Sequence, residues 1–168
     1  MLPIARKWHG VIPVWYAVRQ GVDASQLRRW AASNDDVAHP ARGVYVWLTD
    51  DPSVDWRHTD TALTLAQAGP DAALWGPTVV QMAGLGGWGS PVTHIAVTGR
   101  RASRPGVRWH RDTGFARTTM HGLPVEDAAL AVRDGLPYMD WDKRALVLAD
   151  SVDRGILTET EADRLADA

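Results

Sequence analysis

The apolar positions of the first fifty residues follow a helix, turn, helix, hairpin rhythm. Val14, Ala17 and Val18 share one face of a helix expected over Val11–Gln20, with Pro13 tolerated in its first turn. Gly21-Val22-Asp23 breaks that pattern as a tight turn. Asp23 or Ser25 then caps a second helix, whose inward stripe is Leu27, Trp30 and Ala31, and Asn34-Asp35-Asp36 ends it. Val37–His39 and Gly43–Trp47 read as two short strands around a polar turn, Pro40-Ala41-Arg42. This is the element order of a winged helix-turn-helix. The expected fold class is therefore α+β, with a winged helix-turn-helix over residues 1–49 and a mixed α+β domain over residues 50–168. The boundary falls in the turn-rich segment Thr49–Pro52.

Further along, the periodicity predicts helices over Asp55–Ala68 and Thr78–Leu85, then a glycine-rich turn over Gly84–Gly89. Val92–Thr98 and Gly106–Arg111 alternate as strands and are read as a hairpin around the basic loop Gly99–Pro105. Met120 is assigned to another short strand. Val125–Arg133 and Asp142–Arg154 read as helices, and Thr158 with Glu161 forms a capping box for the last one. No repeat or low-complexity tract interrupts the chain.

The overall charge of -2 conceals a polarised distribution. Residues 1–50 carry six Lys/Arg against four Asp, and residues 98–117 carry six Arg against Asp112 alone. Residues 118–168 reverse this, with eleven acidic and five basic side chains. A basic front and middle suit phosphate, whereas an acidic tail suits protein or solvent. With no cysteine, disulfide scaffolds and thiolate metal sites are excluded. No apolar run nears the roughly 18 residues of a membrane span, and no apolar region follows Arg6-Lys7-Trp8 as in a signal peptide. A cytoplasmic protein without membrane contact is expected.

Candidate chemistry is sparse. The six histidines show no helical metal spacing, and Gly84–Gly89 lacks both the preceding strand and the Lys-Ser/Thr pair of a phosphate loop. Asp140, Asp142 and Lys143 form the one carboxylate–lysine group a nuclease would need, yet they open a helix, where acids are ordinary. Nine Trp against one Phe suggest bulky core filling. The expectation is a protein that is not an enzyme and needs no cofactor or metal.

Binding residues are easier to nominate. Gln26, Arg28 and Arg29 lie on the outer side of the second helix, where a recognition helix meets base edges in the major groove. Arg42 at the wing tip, and Arg6 and Lys7 ahead of the first helix, are placed to meet flanking phosphate, with His39 a weaker candidate. Arg100, Arg101, Arg104 and Arg108 belong to the densest cationic stretch and are candidates for DNA phosphate, adding electrostatic grip to the winged helix's base contacts, or for an acidic partner. The bland alternatives stay open: a solvated helix face for Arg28 and Arg29, and a charged, aggregation-resistant sheet edge for the later arginines. A helix-turn-helix also serves as a protein-docking module.

Three stretches together resemble the AbiEi family, antitoxins of bacterial type IV toxin–antitoxin systems and their orphan relatives. They are Gln26-Leu27-Arg28-Arg29-Trp30 with Arg42-Gly43-Val44-Tyr45-Val46; Ser103-Arg104-Pro105-Gly106-Val107-Arg108-Trp109-His110-Arg111; and Gly122-Leu123-Pro124-Val125 with Arg154-Gly155-Ile156-Leu157-Thr158. The second is similar to a family strand, and the third to a segment that opens a helix. The resemblance implies a winged helix that binds double-stranded operator repeats as a dimer and represses its own operon. It implies a C-terminal α+β domain that neutralises a nucleotidyltransferase-like toxin, or an orphan regulator without one. The chain departs from the family at Leu74-Trp75-Gly76-Pro77-Thr78 and at Glu126–Asp134, both in the half that would meet a toxin.

Overall fold

The computed structural model describes residues 1–167, which form two compact units: Met1–Ala72 with His121–Leu123, and Ala73–Met120 with the chain from Pro124 onward. The fold is α+β, with eight α-helices and two β-sheets among the described residues. Residues 50–72 pack within the first unit, which therefore extends past the boundary expected at Thr49–Pro52.

The first unit runs α1 (Leu2–Lys7), β1 (Val11–Pro13), α2 (Val14–Arg19), α3 (Ala24–Ala32), β2 (Val37–Ala41), β3 (Val44–Trp47), a 3-10 turn (Trp56–His58) and α4 (Thr59–Ala68). Its three-stranded sheet has the order β1-β3-β2, with β3 antiparallel to both neighbours. The helix expected over Val11–Gln20 begins three residues late. Val11 and Ile12 pair with Val46 and Tyr45, and both are fully buried. Two adjacent β-branched residues buried together point to opposite faces, which a strand covered on both sides accommodates and a one-sided helix does not. Pro13, extended at φ -70° and ψ 124°, is the N-cap of α2 rather than a first-turn residue. Helix α1 was not foreseen; it buries Ile4 and Ala5 and carries Pro3 in its first turn.

His9 and Gly10 turn α1 into β1. His9 takes a left-handed φ of 55° and Gly10 one of 83°. The His9 ring is buried between two carbonyl oxygens: Nδ1 lies 2.6 Å from Asp55 O and Nε2 2.8 Å from His121 O. Both contacts are hydrogen bonds only when both ring nitrogens carry a proton. The Thr59 hydroxyl donates to the His9 carbonyl at 2.8 Å, and the Trp47 amide donates to that of Gly10 at 2.9 Å. A Cβ at Gly10 would collide with the Trp56 ring, so both conformation and space reserve the position for glycine. Around this corner, Trp8 meets Trp15 edge-on at 5.4 Å, and Trp15 donates its indole N–H to Ala66 O of α4.

The second unit contains β4 (Ala73–Leu74), α5 (Pro77–Met82), a 3-10 turn (Leu85–Gly87), β5 (Thr93–Val97), β6 (Val107–Arg111), β7 (Arg117–Met120), β8 (Leu123–Glu126), α6 (Ala128–Gly135), a second 3-10 turn (Leu136–Tyr138), α7 (Trp141–Asp153) and α8 (Glu159–Ala166). Its sheet order is β6-β5-β4-β8-β7. Two expectations are corrected. The β5–β6 pair is parallel, not a hairpin, with His94 opposite Arg108 and Val97 opposite Arg111. Residues 98–106 must retrace the strands, about 16 Å, which nine residues span with length to spare. The slack folds over the sheet, where Trp109 donates its indole N–H to Ala102 O. The segment opening the helix expected over Val125–Arg133 is instead strand β8, with Val125 paired to Leu74, and Asp127 starts α6 by accepting from the Ala129 and Leu130 amides. An Asp N-cap is a stronger start signal than a valine within an extended run.

The core of this unit gathers Val80, Leu85, Val132, Leu136, Met139, Val147, Leu148 and Leu157. The glycine-rich run serves this core directly. Gly86 sits at φ 56°, its amide donates to Asp150 Oδ2 at 3.0 Å, and a Cβ there would stand 2.7 Å from the Val147 backbone nitrogen. Asp150 is held below the usual carboxylate range by that amide and by Arg154, which also reaches the Ala83 carbonyl at 2.8 Å. Gly86→Ala should therefore separate this turn from α7. We expect a loss on the order of 2–4 kcal/mol in urea unfolding, whereas Gly87→Ala, with no atom near its added methyl, suffers only its positive φ and loses less. Equal losses for the two would contradict the close-approach account.

Candidate functional site

In the first unit, α3 presents the residues nominated from sequence. Asp23 caps it, accepting from the Ser25 and Gln26 amides at 2.9 Å each, and the Ser25 hydroxyl is the main cause holding its carboxyl below the usual range. The inward side is fixed by Leu27, which is fully buried, and by Trp30, edge-on to Trp47 at 5.4 Å. With that side anchored, the helical period leaves Gln26, Arg28 and Arg29 exposed. Arg28 Nε donates to Ala24 O at 3.3 Å, which lays its guanidinium along the helix. Three hydrogen-bond donors thus stand exposed on one short capped helix.

The other nominated residues of this unit are placed differently. Arg42 lies with Gly43 in the turn between β2 and β3 and is exposed. The strand runs on through Pro40 to Ala41, so the turn is Arg42-Gly43 rather than Pro40-Ala41-Arg42. His39 is stacked on Tyr45 at 4.7 Å. Arg6 and Lys7 end α1 rather than preceding the first helix. Arg6 donates to the Ser53 hydroxyl and pairs with Asp51 at 3.7 Å, while Lys7 stands over the Tyr16 ring at 5.2 Å. Both are engaged locally.

In the second unit, Arg100 and Arg101 lie in the loop after β5, Arg104 bridges to Val107, and Arg108 projects from β6 over the Tyr138 ring at 5.4 Å. Parallel pairing also creates a cluster absent from the sequence reading. His94 and His110 project from neighbouring strands, Nδ1 to Nε2 at 3.0 Å. Trp75 stacks on His110 at 3.7 Å, and Tyr138 stands edge-on to His94 at 4.9 Å. Burial pushes both imidazoles down to about 4, with the Arg108 charge adding to it. They are neutral at pH 7, one donating to the other.

Beside them, Glu126 is completely buried. Its Oε2 accepts from the Gly76 amide at 2.9 Å, while Oε1 has no partner. Burial, opposed by the Gly76 bond and reinforced by the nearby Asp134 carboxylate, pushes it up to about 7. A Glu directly after Leu123-Pro124-Val125 reads as the first turn of a helix, so sequence gave no signal for this role. Among the described residues, no group of three or more His, Asp or Glu could hold a metal ion. No helix is long and apolar enough to cross a membrane.

No family model and no curated protein matches the chain.

These buried groups give stability a defined pH dependence. The unfolded chain protonates His94 and His110 below 6.5 while the folded chain resists down to about 4, so stability falls with acidification through that window. Glu126 acts oppositely: its contribution is complete below its unfolded value of 4.5 and is lost as pH rises through about 7. Each group is worth about 1.4 kcal/mol per pH unit within its window. Urea midpoints should therefore peak near neutrality, and Glu126→Gln should flatten the alkaline side while steepening the acid side. Unchanged pH profiles for the variant would contradict the placement of that carboxyl.

Proposed function

We propose that the first unit is a winged helix-turn-helix that binds double-stranded DNA, with α3 in the major groove and the Arg42-Gly43 turn against flanking phosphate. The observation that carries this reading is α3 itself. Leu27 is buried and Gln26, Arg28 and Arg29 are exposed on a helix preceded by a tight turn and followed by the β2–β3 hairpin. Arginine pairs bidentately with guanine and glutamine with adenine in the major groove, so these side chains have the right chemistry for base readout. The resemblance to the AbiEi family points the same way, towards repression of the protein's own operon by two copies on operator repeats. Repression by occlusion needs no chemistry from the protein.

Charge limits how such a site works. Residues 1–72 carry seven Lys/Arg against eight Asp, so the unit is near neutral and gains little from nonspecific attraction. Affinity then rests on a few positioned contacts, and discrimination between sequences should be large relative to total affinity.

A second reading, a protein partner for the second unit, is favoured by Trp141. This indole is 70% exposed at the start of α7, and a cleft of about 410 Å³ between α7 and α8 is floored by Leu148, Val152 and Ala162 with Asp153, Glu159 and Asp163 at its rim. Under the antitoxin reading, a nucleotidyltransferase-like toxin is the partner. The two readings concern different units and are compatible. Co-purification with the neighbouring gene product, lost on Trp141→Ala, tests the second.

Fluorescence anisotropy against DNA from upstream of the gene tests the first. Arg28→Ala should cost about 1–3 kcal/mol and relax preference at one base position, while Arg42→Ala should weaken all sequences alike. With three or four phosphate contacts, log K against log salt should slope near -3 to -4. No binding at low salt, or equal losses on every sequence for Arg28→Ala, would overturn the reading.

A further inference from the structure

We propose that the second unit binds a free nucleoside polyphosphate in the cleft at the carboxyl ends of β5 and β6, with the base against Trp109 and the phosphates on Arg100 and Arg111. The cleft has a volume of about 410 Å³ and is walled by Val97, Arg100, Arg101, Trp109 and Arg111 among others. That volume falls within the usual range for small-molecule sites, about 300–1,000 Å³. None of these residues serves the DNA reading of the first unit, so the two proposals stand or fall separately.

Three features of the cleft converge on this ligand class. The first is topology. β5 and β6 are parallel and both end at the cleft, β5 at Val97 and β6 at Arg111. Ligands of open sheets containing parallel strands gather at those carboxyl ends, where loops rather than helices cover the strand termini. The second is charge. Among the described residues, none of Arg100, Arg104, Arg108 and Arg111 is paired with a carboxylate, although they lie within one loop and one strand. Arg101 folds back over the loop, with a guanidinium nitrogen 3.1 Å from where a Cβ on Gly99 would lie. Arg100 and Arg111, both exposed at the cleft, offer a polyanion two guanidiniums that have no ion pair of their own to give up.

The third feature is Trp109. Its indole N–H is satisfied by Ala102 O at 2.8 Å, which locks the ring's orientation and draws the loop bearing Arg100 and Arg101 towards it. The same ring also borders a second cleft of about 710 Å³ that shares Arg100 and Arg101. An aromatic wall beside cations accepts a stacked base and its phosphates together, whereas inorganic anions use the cations alone. A volume of about 410 Å³ is of the size of one nucleotide, and the oligonucleotide arm of the test below separates that from a strand.

Isothermal titration of the full chain with ATP, inorganic triphosphate and a dT10 oligonucleotide at low salt tests this directly. ATP should bind with Kd of about 10–100 µM, about tenfold tighter than triphosphate. Trp109→Ala should bring ATP to the triphosphate level, and Trp109→Phe should restore most of the difference. Arg100→Ala with Arg111→Ala, both exposed, should weaken ATP and triphosphate together. Equal affinity for ATP and triphosphate in the native protein would reduce the cleft to a simple anion site and overturn the proposal. So would dT10 binding tenfold tighter than ATP, which would mark a strand-binding surface, or the absence of ATP binding altogether.

Discussion

The first unit depends on one buried imidazole. His9 is 3% exposed, its ring spans the carbonyls of Asp55 and His121, and its own carbonyl accepts from Thr59. Two distant chain segments, residues 55–59 and His121, are thereby fixed to one residue in a left-handed conformation. The corner that His9 and Gly10 make aims Val11 and Ile12 into the sheet beside β3. β3 in turn supplies Trp47, against which Trp30 of α3 packs. The direction in which Gln26, Arg28 and Arg29 point thus traces back through two packing steps to a pair of hydrogen bonds. Buried hydrogen bonds of this kind are costly to break, because the partners left behind have no water to turn to.

The second unit solves a different problem. Its β4 is only two residues long, yet it joins β5 and β8 in one sheet. The segment just after it, Trp75-Gly76-Pro77, carries much of the local order. Trp75 stacks on His110, the Gly76 amide binds Glu126, and Pro77 opens α5. His94 and Glu126 are buried here, and that burial pushes the imidazole down and the carboxyl up from their ordinary values. The carboxyl ends of β5 and β6, where Arg100 and Arg111 are exposed, are by contrast the charged part of the sheet.

What sequence revealed and concealed divides by distance along the chain. The Asp23 cap, the Leu27–Trp30 stripe and the Thr158–Glu161 box are signals contained within four residues, and all three are present. Strand β1 was mistaken for a helix because Val14, Ala17 and Val18 extend a helical period whose start Pro13 actually marks. The parallel β5–β6 pair was mistaken for a hairpin because a short polar loop between two strands favours the simpler connection. Register between distant strands is set by tertiary packing, so the meeting of His94 and His110 had no local signature. The exposure of Arg28 and Arg29 was legible because it follows from the buried stripe opposite, and that of Arg42 because it sits at a turn between two strands. Arg6 was not, since its partners Ser53 and Asp51 arrive from a loop some 45 residues away.

The claim that most of this account serves is that α3 faces base edges. A photo-crosslinking amino acid placed singly at positions 26, 29 and 42, and at the exposed Leu146 of α7 in the second unit, would map the contact on bound DNA directly. Adducts to bases from positions 26 and 29, to backbone sugars from 42, and none from 146 are the predicted result. Adducts from 146 with none from 26 or 29 would contradict it.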